Sequence, residues 1–178
     1  YNIKGGICNK FESCYWPKRK CYYCVPLLKS ITMFRIDYKI ITARLEKTEC
    51  ISDEEIRYNF LLGNVSFISS NAEIEMEWEW IPLLDFVYCL QIIVNSLKAK
   101  NTAKEYFEFT ENAETLEFSK HGQQLKIVAS FSPIVVETIF ADFTKAVYSF
   151  HFNISKYVQT NTVSKLSCNL HKYLLAEI

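Results

Sequence analysis

Glu73-Ile74-Glu75-Met76-Glu77-Trp78-Glu79-Trp80 alternates acid and apolar side chains without a break, and Ile81-Pro82-Leu83-Leu84-Asp85-Phe86 follows at once. Alternation at a period of two is the pattern of a half-buried strand. The spacing therefore predicts a strand over 72–80 with Ile74, Met76, Trp78 and Trp80 turned inward. Glu73, Glu75, Glu77 and Glu79 then line the other face, roughly 6.5 to 7 Å apart. The period changes after Pro82, a residue suited to a first helical turn because its missing N–H is not needed there. Leu83, Phe86, Val87, Leu90, Ile93, Val94 and Leu97 recur at three- and four-residue steps, a stripe wide enough to cover a sheet face. Lys98 and Lys100 suit the negative end of that helix.

Upstream, Phe34, Ile36, Tyr38 and Ile40 alternate with Arg35, Asp37 and Lys39, which predicts a first strand. Ser52-Asp53-Glu54-Glu55 reads as a helix cap followed by acids at the positive end of the dipole, with a short turn through Tyr58. A second strand is predicted over 61–69, with Ser70-Asn71 as the turn into the third. Downstream, strands are predicted over 105–110, 115–119 and 123–132, with a turn at His121-Gly122 and a strand extension or edge at 134–136. A long helix with Phe143, Val147, Phe150, Ile154 and Val158 on one face follows, then a helix over 163–176 with Leu166, Leu170, Tyr173 and Leu174 inward. The expected order is βββ-α-βββ-α-α. Runs of strands followed by helices define an α+β class, an antiparallel sheet with helices packed on one face.

Apolar residues form 49% and aromatics 15% of the 178 residues, enough for a globular core and too many for disorder. No apolar run reaches the roughly 18 to 20 residues that span a bilayer, so no membrane is expected as a partner. The texture changes near 30–33. The first 32 residues read as a Cys-rich basic extension, disordered or non-native, and 33–178 as one soluble α+β domain. The chain begins at Tyr1, which reads as a fragment or a processed product, and Met33 offers an alternative natural start. Scattered single cysteines, Cys50, Cys89 and Cys168, point to a reducing, cytoplasmic compartment.

The formal net charge of zero conceals two opposite regions: +5 over 1–30 and −5 over 31–178. Residues 46–117 alone carry fifteen acids against five bases. The row Glu73, Glu75, Glu77 and Glu79 is the sharpest feature. Two readings stay open for it: a solvated face whose charge guards an edge, and a docking ridge for a basic protein. A metal site fits poorly, since a straight strand spreads carboxylates that a hard cation needs convergent. Nucleic acid should be repelled by 33–178, whereas a nucleic-acid-cleaving toxin, with its cationic groove, would be attracted.

Cys8, Cys14, Cys21 and Cys24 could hold one zinc, with Cys21-Tyr22-Tyr23-Cys24 at knuckle spacing. Lys18, Arg19, Lys20, Tyr15 and Trp16 nearby give the alternative of a small zinc-stabilised nucleic-acid-binding module on an α+β scaffold. No other cofactor is expected. Catalysis is not expected either. Cys168 and His171 could share a helix face, but a nucleophilic pair needs an orienting group and an oxyanion site that the sequence does not offer. His121 reads as a turn residue and His151 as a partly exposed helix residue. No phosphate loop, nucleophile elbow or zinc-protease motif is present.

Residues 33 to about 158 resemble a small uncharacterised α+β family of Bacillus and related bacteria. The resemblance rests on Ile51-Ser52-Asp53-Glu54-Glu55-Ile56 and the hairpin after it, on the acidic aromatic stretch into Ile81-Pro82-Leu83-Leu84-Asp85-Phe86, and on the meander and closing helix in the same order. It implies an immunity protein of a contact-dependent or secreted toxin system, and brings no catalytic residues with it.

Overall fold

The computed structural model describes residues 34–45, 51–162 and 168–174. All of them fall in the unit Ile31–Ile178. The Cys-rich extension and its zinc-site cysteines lie outside the described residues.

Among the described residues seven strands and four helices follow one another: β1 (Arg35–Ala43), α1 (Asp53–Tyr58), β2 (Leu61–Ile68), β3 (Glu73–Pro82), α2 (Leu83–Lys98), β4 (Thr102–Glu108), β5 (Thr115–His121), β6 (Gln124–Ala129), β7 (Val135–Ile139), α3 (Phe140–Asn161) and α4 (Cys168–Leu174). The class is α+β with every pairing antiparallel. Two points correct the sequence reading. The strands form two sheets, β1-β2-β3 and β4-β5-β6-β7, where one was expected. The second run also has a fourth strand, because the segment read as an extension at 134–136 continues as Val135–Ile139, every residue of which pairs with β6.

Local chemistry explains the elements. Ser52 caps α1, its hydroxyl accepting the Glu55 N–H at 3.1 Å, with Asp53, Glu54 and Glu55 in the first turn. β2 buries Leu61, Gly63, Val65 and Phe67 in strict alternation. At Gly63 a Cβ would stand 2.1 Å from the Lys39 carbonyl oxygen, so β1 and β2 can pair this closely only over a glycine. β3 runs directly into α2, with Pro82 as the last strand residue and the cap of the helix. Proline is tolerated there because β3 is an edge strand. β7 runs into α3 in the same loopless way, Ile139 to Phe140.

Both sheets turn their apolar faces to one core. Phe67 of β2 meets Phe118 of β5 at 6.3 Å, and Phe143 of α3 meets Phe34 at 5.7 Å and Phe118 at 5.5 Å. Phe86 of α2 bridges the sheets, 6.2 Å from Phe67 and 4.9 Å from Phe107. The stripes read from the sequence are the faces that go in: Leu83, Phe86, Leu90, Val94 and Leu97 on α2, Phe143, Val147, Phe150, Ile154 and Val158 on α3, Leu170, Tyr173 and Leu174 on α4. Leu166 lies outside the described residues. One cation is also buried. Lys120 of β5 donates from Nζ to the carbonyls of Leu97 (2.8 Å) and Lys100 (2.6 Å), capping α2, and lies 4.5 Å over the Phe140 ring.

Candidate functional site

β3 places the acidic row as the alternation requires, up to a point. Ile74 and Met76 are fully buried, Trp78 and Trp80 half-buried, Glu73 half-buried, and Glu75, Glu77 and Glu79 exposed. Glu73 and Glu75 sit in regular register against Ile68 and Ser66. Beyond Met76 the strand is not straight. Val65 pairs with Met76 and Gly63 with Ile81, so the single residue Asn64 faces four of β3, residues 77–80. Glu79 takes φ 63°, in the left-handed region, and its N–H donates to Asn64 Oδ1 at 2.7 Å. The evenly spaced row of four is thereby corrected to two carboxylates on a flat strand and two on a bulge.

The bulge also sets the tryptophans. Trp78 and Trp80 stack with centroids 5.1 Å apart and planes 13° from parallel, closer than the roughly 6.5 to 7 Å between alternate residues of a regular strand. Trp78 meets Phe109 edge-on at 4.9 Å and Phe131 at 4.7 Å. The reading of both tryptophans as core holds only in part, since each keeps one side near solvent.

Among the described residues, none of the four glutamates takes part in an ion pair: the four pairs present are Arg35–Asp37, Arg57–Asp85, Lys104–Glu117 and Lys172–Asp53. Carboxylates on one face without counter-ions repel one another, and that repulsion is relieved by water or by an incoming cation.

Beside this ridge a groove of about 330 Å³ opens between α1, α2 and β4. Trp80 and Pro82 close one end, Asp85, Cys89 and Ile92 form one wall, and residues 105–110 form the other. Arg57 Nε donates to Asp85 Oδ1 at 3.2 Å, and this partner holds the guanidinium above its ordinary range. Asp85 is thus a cross-element partner and not simply an acid at a helix start. The Cys89 thiol is pushed up to about 12, first by burial and then by the Asp85 carboxylate, which makes it a poor nucleophile. Sequence reasoning missed this groove because its parts are about fifty residues apart.

The histidines do not converge. His121, at the end of β5, has Nδ1 3.2 Å from Thr102 Oγ1. His151 is buried, where a partly exposed residue was expected: its Nε2 lies 2.8 Å from the Tyr173 carbonyl and 3.4 Å from Ser155 Oγ, tying α3 to α4. Cys168 and His171 are both exposed on α4. Among the described residues no group of three or more His, Cys, Asp or Glu side chains is placed to share a metal ion. No described helix is long and apolar enough to cross a membrane. Comparisons with family models, curated proteins and solved structures gave no match.

Proposed function

We propose that this chain is a non-enzymatic binding protein, an immunity-type inhibitor that masks a basic, nuclease-like toxin in the cytoplasm. The observation carrying this reading is the exposed row Glu75, Glu77 and Glu79 on β3, which makes no ion pair among the described residues and is backed by an aromatic and aliphatic layer. A toxin that cleaves a polyanion presents a cationic groove, and a fixed acidic ridge speeds encounter with it and disfavours anionic competitors. Mounting the ridge on a packed strand lowers the ordering cost of binding. Free thiols at Cys89 and Cys168 suit a reducing compartment.

The test is a pull-down of the full chain with the toxin encoded beside it. Glu75→Lys with Glu77→Lys is expected to weaken binding by about a hundredfold, the scale of losing two close charge contacts. Both side chains are exposed, so the fold should be unchanged in circular dichroism. Unchanged affinity in the double variant removes the ridge from the account.

A further inference from the structure

We infer that the groove between α2 and β4 receives an extended basic segment of the partner, which pairs with the free edge of β4; this rests on the reading of a basic partner given above. The first observation concerns the wall. Residues 105–110 all border the cleft in unbroken succession. Successive strand residues point to opposite faces. A run of neighbours along one cleft therefore places the cleft on the strand's edge and not on either face. β4 is the outermost strand of its sheet and pairs only with β5 among the described residues. Its outer edge thus presents backbone N–H and C=O groups that an added strand can satisfy.

The second observation is the surroundings of that edge. Tyr106 of β4, 59% exposed, and Ile92 of α2, 53% exposed, both border the cleft and leave apolar surface that a bound segment can cover. The third is charge. Glu105, whose carboxylate also accepts from Ser96 Oγ, and Glu108 line the cleft, and its one cation, Arg57, is already paired with Asp85, so the lining keeps a net negative charge. Glu79, exposed on β3, precedes Trp80 of the lining in the chain. A second copy of this chain would bring acids against acids. A segment alternating Lys or Arg with aliphatic residues fits both features, apolar side chains toward Ile92 and basic ones toward Glu108.

The experiment uses the full chain, isotope-labelled, with the peptide acetyl-Lys-Val-Arg-Val-Lys-Val-amide as probe and its Glu-Val-Glu-Val-Glu-Val counterpart as control. The basic peptide is expected to slow amide exchange at residues 104–108 by about tenfold at saturation, and the acidic one is expected to do nothing. Ile92→Lys and Tyr106→Ala, both at exposed positions, should each weaken the basic peptide by about tenfold. Absence of protection at β4, equal protection by the acidic peptide, or full affinity in Ile92→Lys overturns the inference. If that happens while Glu75→Lys with Glu77→Lys still weakens toxin binding by about a hundredfold, the groove falls and the ridge stands. If the peptide protects β4 and the toxin is not masked, the groove stands and the toxin-inhibitor reading falls.

Discussion

Glu79 and Asn64 show how much of this surface depends on single side chains. A non-glycine residue in the left-handed region is strained, and Glu79 is held there by one bond from its N–H to the Asn64 amide oxygen. Asn64→Ala hands that exposed N–H to water and is expected to cost about 0.5 to 1.5 kcal/mol. Glu79→Gly relieves the strain but frees the unfolded chain, for a net gain of about 0.5 kcal/mol. Urea unfolding of the two variants measures both, and a clear loss in Glu79→Gly would show that the left-handed turn is not strained. Nothing in the acid–apolar alternation distinguishes a straight strand from a bulged one, which is why the even row was expected. Cys89 offers a second test. Its thiol ionises near 9.0 when unfolded and near 12 when folded. Above pH 9 the unfolded chain releases a proton that the folded chain keeps, so this contribution is intact below pH 9 and is lost as pH rises toward 12. The stability advantage of the wild type over Cys89→Ala should narrow steadily across that window in thermal melts. An advantage that stays constant would mean that the thiol is not desolvated.

At the scale of elements, the helices were legible because an apolar stripe at a 3.6 period has only one way to be covered. Their ends were less so. Lys98 sits in the last turn of α2 as its charge suggests, but Lys100 supplies a carbonyl there and the capping ammonium comes from Lys120, on a strand two elements later. Lys120→Met keeps the buried stem and removes the cap. The expected cost is about 1 to 3 kcal/mol, from bonds to a charged donor, with fraying at residues 96–100 seen as faster amide exchange. If exchange there is unchanged, the cap is not what holds the helix end. His151 was misjudged for the same reason: its partner, the Tyr173 carbonyl, lies on α4, and a single helix read alone cannot show what packs on it.

For the molecule as a whole, strand alternation tells which face goes inward and not which strand lies beside which. That is why the α+β class could be read and the division into two sheets could not. The two sheets are nevertheless one folding unit, because Phe86 reaches both. Phe86→Ala should cost about 3 to 5 kcal/mol and lower the far- and near-ultraviolet transitions together. Transitions that separate would show that the sheets melt independently. The acidic surface was legible in position, from charge counts and alternation. The groove beside it was not, because Arg57, Asp85 and Tyr106 meet only once the chain is folded.

The two places where a strand becomes a helix with no intervening residue, at Pro82–Leu83 and Ile139–Phe140, leave the chain no slack. One added residue at either would turn everything after it by about 100° about the helix axis, swinging the apolar stripe of α2 or α3 out of register with both sheets. The hairpin between β4 and β5, whose tip residues 110–113 are exposed, could take the same addition with little harm. Among the described residues these two joints leave no room for added length, and the placing of β3's acids relative to the first turn of α2 is fixed by a joint that cannot stretch.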